Sequence, residues 1–273
     1  MEKRQRGRPR LNKPEESPAI IQALDRGLGL LGCLAKEREA SLTNLSILEN
    51  LPISTVHRLL VTFQKHGFVE FLEEGQKWVI GVESFRVGSS FAHRTKLIDV
   101  GQTVLRSLTD KTGETANIAI LYEGQVVFIS QVETYQTIRA FFAPGTRSTM
   151  HSSGIGKAIL STLRIEDIED VIKKHGLSRF TEKTHTSPES LSADLVSVRS
   201  RGWALDDEER HLGMRCVAAP IYNSLGEAFA GISVSGPTER MNDETILVVA
   251  SRVMQAAETI TQKIGGEKLN NPG

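Results

Sequence analysis

The sequence predicts an α+β protein in two parts, a winged helix-turn-helix followed by an antiparallel sheet with helices on its faces. Short helical periodicities crowd the first part of the chain and end in a pair of strands. Further on, strand-like segments cluster and helices flank them, without the strict alternation that signals a doubly wound sheet. A length of 273 residues also suits two domains. The composition, 39% hydrophobic and 24% charged, excludes disorder, collagen and coiled coil as whole-chain readings. No apolar run approaches the roughly 18 residues that a bilayer span needs, and the N-terminus is basic and polar. Neither a membrane anchor nor a secretory leader is expected. Cys33 and Cys216 lie too far apart to form a disulfide framework, which fits a reducing cytoplasm.

The balanced net charge conceals a split. Between Met1 and Lys13, the bases Lys3, Arg4, Arg6, Arg8, Arg10 and Lys13 face the single acid Glu2, so the remainder of the chain is net acidic. Residues 1–19 hold Gly7, Pro9, Pro14 and Pro18 with almost nothing apolar, and they read as a disordered basic arm. Arg6-Gly7-Arg8-Pro9-Arg10 is an extended strip narrow enough for a DNA minor groove, its guanidiniums reaching floor and phosphates. A generic phosphate-touching tail is the plainer alternative.

Each element then follows in order. Ile20, Ala23, Leu24, Leu28, Leu31, Leu34 and Ala35 recur at helical spacing and are expected to form one buried face. Leu42–Leu48 is a second short helix with Thr43 as its expected N-cap. After the break at Asn50-Leu51-Pro52, a helix from Ile53 to Phe63 buries Val56, Leu59, Leu60 and Phe63. It leaves Ser54, Thr55, His57, Arg58 and Thr62 outside. Gly67–Leu72 and Lys77–Gly81 are two strands joined by a turn at 73–76. Together these make a winged helix-turn-helix over 20–82. Hydroxyls and an Arg stand where a recognition helix meets base edges and phosphates, and Lys77 on the wing joins Ser54, Thr55, His57 and Arg58 as a DNA contact. Such a unit also serves as an interaction module, with Ser54-Thr55 merely an N-cap. The basic arm directly in front favours DNA.

Residues 82–110 look helical, and the polar interruption His93-Arg94-Thr95-Lys96 marks an interdomain connection. The expected division is a linker helix at 83–98, a sensing domain at 99–266 and a tail at 267–273. Strands are expected at Ala116–Leu121, Val126–Gln131, Thr137–Phe142, Cys216–Tyr222 and Ala228–Ser235. Helices are expected at Ile155–Leu163, Ile165–His175, Ser187–Arg201 and Asn242–Lys263.

The chemistry points to binding. Ser233 and Ser235, two apart on a strand, face one way while Ile232 and Val234 face the other. Two hydroxyls with a nearby thiol suit a compact oxyacid. Backbone N–H groups at Ser153–Gly156, where a helix begins, suit its carboxylate. The plainer reading is a turn glycine and the end of a strand. Ser152–Lys157 fails the phosphate-loop pattern, with His151 in place of its first Gly and Ala158 after the Lys, and no G-x-S-x-G elbow exists. Cys216 with His211 is a conceivable nucleophile and base, and Cys216 with Asp206 and His151 a conceivable metal set. Closely spaced paired ligands are missing, so neither an enzyme nor a metal or cofactor is expected. Asp206–Glu209 reads as a solvated turn in which Asp206 is a candidate for orienting pocket donors.

The chain resembles the IclR family of bacterial transcription regulators. The likeness rests on Leu51–Leu60 (Leu-Pro-Ile-Ser-Thr-Val-His-Arg-Leu-Leu), Met150–Ala158, Asp206–Glu209, Gly213–Ala218 and Ile232–Pro237, which cover nearly the whole chain in order. The resemblance implies a winged-helix domain, a linker helix and a GAF-like effector domain for a small metabolite. It implies a cytoplasmic repressor or activator that binds operator DNA as a dimer, or as a tetramer built of dimers. Within the family the chain is most similar to regulators of the glyoxylate and allantoin pathways, which respond to glyoxylate. Their pocket positions correspond to Gly154, Ile155, Cys216, Ser233 and Ser235, to which we add Asp206. Ile155 departs from the Ala usual there and is expected to narrow the pocket. Other branches sense aromatic or other carboxylates, and a GAF-like thiol enzyme using Cys216 is a remote alternative.

Overall fold

The computed structural model describes residues 20–94 and 96–268 as two compact units, one ending at Ala92 and the next beginning at His93. The basic arm with Arg6, Arg8 and Arg10 lies outside the described residues, as do residues 269–273.

The first unit contains helices α1 (Gln22–Glu37), α2 (Leu42–Leu48) and α3 (Ile53–Lys65). Strands β1 (Glu39–Ala40), β2 (Val69–Leu72) and β3 (Lys77–Ile80) form an antiparallel sheet in the order β1-β3-β2. Leu30, Leu34, Leu45, Val56, Leu60, Val69 and Trp78 form its core, and the β2–β3 hairpin is the wing. The α1 face differs from expectation. Gly27, Leu30 and Leu34 are buried, whereas Ile20, Leu24 and Leu28 are exposed. Gly27 lies on that face against α3, where a Cβ would stand 3.2 Å from Phe63 Cζ, a tight contact, so the buried face runs through a residue with no side chain to count. The N-cap of α2 is Ser41, whose hydroxyl accepts from the Asn44 N–H at 3.2 Å; Thr43 sits inside the first turn.

Helix α4 (Val82–Arg94) leads to α5 (Lys96–Thr112). The second unit is built on a six-stranded antiparallel sheet. In chain order its strands are β4 (Thr115–Tyr122), β5 (Gln125–Val132), β6 (Arg147–Thr149), β7 (Ala204–Asp207), β8 (Met214–Tyr222) and β9 (Ala228–Pro237). In space the order is β6-β5-β4-β9-β8-β7. On one face, Leu105 and Leu108 of α5, and Val253 and Ile260 of α9 (Asp243–Lys263), pack against Ile118, Val217, Ile232 and Val234. The other face is covered by α6 (Gly154–Leu160), α7 (Ile165–His175) and α8 (Pro188–Arg201), whose Ile155, Ile159, Ile168 and Leu191 meet Ala119, Phe128 and Ala218. The strand alternation expected for Ile232–Ser235 is therefore realised.

Two expectations are corrected. Thr137–Phe142 is irregular and not a strand. The ladder position beside β5 is taken by β6, and the Ile138 carbonyl accepts instead from Arg240 Nη2 at 2.8 Å. Asp206–Glu209 is not a solvated turn either. Asp206 and Asp207 end β7, and both Asp206 and Glu209 are buried. Among the described residues, no helix is long and apolar enough to cross a membrane.

Candidate effector pocket and DNA-reading surface

Sheet register assembles the pocket. Thr115, Ser235, Cys216 and Asp206 are successive cross-strand partners on β4, β9, β8 and β7, so their side chains make one polar row on the α6 face. Beneath it runs Asn117, Ser233 and Ala218. Helix α6 begins over this row at Gly154, where a Cβ would stand 2.9 Å from Cys216 Sγ. Only glycine allows so close an approach.

Asp206, Cys216 and Ser235 border a cleft of about 230 Å³, together with Arg139, Phe141, Phe142, His211, Met214 and Arg215. The sequence expectation missed Arg139 and the two phenylalanines, since they belong to the irregular segment taken for a strand. Gly154, Ile155 and Ser233 do not border the cleft, and Ser233 lies behind it in the lower row. The side chain of Ile155 turns away into the α6-side core, against Gly231, so it does not narrow the opening.

The electrostatics are those of a buried, polar floor. Burial, then the nearby Glu209 carboxylate, pushes the Asp206 carboxyl up to about 7, although its Oδ1 accepts from the Glu209 N–H at 2.8 Å. Burial first, and Asp206 second, pushes the Cys216 thiol up to about 11. The Ser233 and Ser235 hydroxyls and the Gly154 N–H lie near enough to temper that rise. Neither serine hydroxyl makes a hydrogen bond of regular geometry; both are buried and unpartnered, as is Asn117 Nδ2. Asn117 is held in place by Gln131 Nε2, which donates to its Oδ1 at 2.8 Å. Of the N–H groups expected to meet an anion, that of Gly156 is already bonded to Ser153 Oγ at 3.0 Å.

His151 does not converge with Cys216 and Asp206 among the described residues, and its Nε2 is bonded at 3.0 Å to the Ser178 carbonyl. Among the described residues, one group of ligand type does converge: His185, Asp194 and Glu209. The Lys157 ammonium already bridges both carboxylates, at 2.7 Å to Asp194 and 2.5 Å to Glu209. That group is an internal ion-pair cluster.

In the first unit, α3 exposes Ser54, His57, Arg58 and Thr62 and half-buries Thr55. Its N-cap is Pro52, without a side-chain cap, so Ser54 and Thr55 are not spent on capping. Lys77 starts β3 just after the wing turn and is half-buried.

A winged helix followed by a helix-covered sheet with a polar cleft defines a ligand-sensing DNA-binding protein. Residues 23–73 match the IclR helix-turn-helix domain and residues 89–262 the C-terminal domain of bacterial transcriptional regulator IclR. The chain is 46% identical over 261 residues to the HTH-type transcriptional regulator BhcR of Paracoccus denitrificans, covering 94% of each. It is 40% identical to the acetate operon repressor of Salmonella typhimurium, covering 91% of this chain and 92% of that one. The crystal structure of Thermotoga maritima IclR superposes with a TM-score of 0.74 at 27% identity, over 90% of this chain and all of the other. The protein belongs to the IclR family of transcription regulators. It is a DNA-binding regulator with a C-terminal effector domain, and its relatives are regulators, not enzymes.

Proposed function

We propose that a small 2-oxo acid, glyoxylate or a close analogue, binds at the Cys216 cleft and thereby sets the operator affinity of the winged helix. The observation that carries this reading is the pair of buried hydroxyls without a regular hydrogen bond, Ser233 Oγ and Ser235 Oγ, beside one thiol, with the unpartnered Asn117 Nδ2 next in the lower row. A buried group left unpaired costs about 1–3 kcal/mol, and a hydrogen-bonding ligand removes that cost. The carboxylate reaches past the cleft wall, where α6 begins against Cys216 Sγ, to accept from the N–H groups near Gly154 and from one serine. The other serine and the Cys216 thiol meet the aldehyde or keto oxygen, and Asp206 orients these donors. A cleft near 230 Å³ lies below the roughly 300–1,000 Å³ of drug-sized pockets, which suits a compact acid. Phe141 and Phe142 at the mouth favour the rival, an aromatic acid, but the polar floor gives a ring little to pack on.

On the DNA side, Ser54, Thr55, His57 and Arg58 read the major groove and Lys77 meets phosphate. Arg6, Arg8 and Arg10 enter the adjacent minor groove. A homodimer, or a dimer of dimers, in the cytoplasm presents two such readers to a near-palindromic operator. The arm ends at residue 19, the linker helix spans 83–98 and the effector domain 99–266. Effector binding shifts DNA affinity only by its differential affinity for two arrangements of the protein, typically about 1–3 kcal/mol. A thermal-shift screen over short oxyacids tests the effector reading. Glyoxylate is expected to raise Tm by mass action, and a flat response to every short 2-oxo acid overturns it.

A further inference from the structure

We infer that Cys216 captures an aldehyde-bearing effector covalently and reversibly, as a hemithioacetal. This rests on the 2-oxo acid reading above and goes beyond it, by assigning the thiol a bond-forming role. Cys216 borders the cleft, and its neighbours supply what addition requires. Asp206 is its cross-strand partner on β7 and Ser235 its partner on β9. The buried hydroxyls of Ser235 and Ser233 lie beside the thiol on the same sheet face, neither with a regular hydrogen-bond partner.

The step balances without any further reagent. The thiol sulfur bonds to the aldehyde carbon and the C=O π bond opens. The thiol proton passes to Asp206 and from there to the former carbonyl oxygen, now a hydroxyl. Nothing is oxidised and nothing leaves. Reversal returns free aldehyde and thiol, as a sensor requires.

The environment suits an equilibrium trap better than a fast nucleophile. A thiol held up at about 11 attacks slowly, but a thiolate of high basicity is also a poor leaving group, so the adduct persists once formed. A carboxyl near 7 is divided between its acid and base forms at neutral pH, as a proton relay needs to be. Glu209 and Lys157 are the other charges acting on it, and the backbone N–H groups of Glu209 and Arg210 donate to it; the Arg210 guanidinium is also within charge range. His211, Arg139 and Arg215 stand around the cleft. The two arginines are protonated and already bond acids, Arg139 with Glu133, and Arg215 with Asp207 and Asp243, so neither takes the proton; Asp206 does so as the direct cross-strand partner of the thiol, a position His211 does not share.

The test is a carbon NMR spectrum of the full-length protein with glyoxylate labelled at its aldehyde carbon, beside calorimetric titrations of glyoxylate and glycolate. A bound resonance of a sulfur-bearing sp3 carbon, distinct from aldehyde and hydrate and absent from Cys216→Ser, is expected. The variant should also lose about tenfold or more of the preference for glyoxylate over glycolate. Glyoxylate that binds wild-type protein but shows only aldehyde or hydrate carbon overturns covalent capture and leaves the effector reading standing. No binding of glyoxylate to wild-type protein overturns both, and the isotherm tells the two failures apart.

Discussion

Lys157 Nζ sits 2.5 Å from Glu209 Oε1 and 2.7 Å from Asp194 Oδ2, in a side chain with no exposure to solvent. This ammonium ties α6, which closes the cleft floor, to α8 and to the turn after β7. Glu209 reaches the cleft in turn, through the hydrogen bond from its N–H to Asp206. Removing the cation strands two carboxylates, one of which is buried with an oxygen already unpartnered. Lys157→Met is expected to destabilise the effector domain by about 3–5 kcal/mol in urea denaturation. A loss within about 0.5 kcal/mol, the range of an ordinary surface substitution, would contradict this.

Asp206 should give the domain a pH-dependent stability. Its carboxyl rises from an ordinary 3.8 to about 7 on folding, so the folded state holds the proton more tightly. That contribution is fully present below the unfolded value and is lost as pH rises through the folded one. The loss runs from about pH 4 to pH 7 and amounts to up to about 4 kcal/mol. Asp206→Asn should flatten that part of the stability–pH curve, an outcome checked by thermal melts across the range. A variant curve parallel to wild type would contradict the assignment.

The serines should show a trade between stability and binding. Ser235→Ala deletes a buried hydroxyl whose polar neighbour is the Cys216 thiol and which makes no hydrogen bond of regular geometry, so the ligand-free domain should lose little or no stability. The same change removes a hydrogen bond to a charged ligand, and glyoxylate affinity should fall roughly 10–100-fold by calorimetry. Operator binding by the ligand-free variant should persist. A loss of stability without loss of ligand affinity would show a purely structural serine.

DNA contacts separate by their salt dependence. Arg58→Ala should weaken operator binding without lowering Tm, because Arg58 is exposed on α3. Deleting residues 1–13 should weaken binding and flatten the plot of log affinity against log salt, since fewer counterions are released. An unaltered slope after truncation would take the arm off the DNA. Unaltered affinity in an Arg58→Ala, Ser54→Ala double variant would take α3 out of the recognition role.

What the sequence revealed and what it hid both have physical reasons. Helix α3 was legible because Val56 and Leu60 recur at helical spacing after Pro52, and the serine pair because a strand alternates its faces. The face of α1 was not, because it packs through Gly27, which has no apolar side chain to count, while exposed Leu24 and Leu28 supply the visible pattern. The Lys157–Glu209 pair joins residues 52 positions apart, a separation that local pattern does not register. The Arg139–Phe142 segment carried strand-like residues, yet the ladder site beside β5 went to β6. The cleft's Ser235, thiol and Asp206 are legible in the sequence; Ser233 lies one row behind it, and the wall built by that irregular segment emerges only in the fold.

A small 2-oxo acid at the Cys216 cleft should govern operator affinity. The most direct measurement is the Kd of full-length protein for a duplex it has itself selected from random sequence, by fluorescence anisotropy, with and without saturating glyoxylate. Glyoxylate should shift that Kd about 5–150-fold in wild-type protein, and much less in Ser235→Ala at the same ligand concentration. A Kd indifferent to glyoxylate, but moved by an aromatic acid, would contradict it.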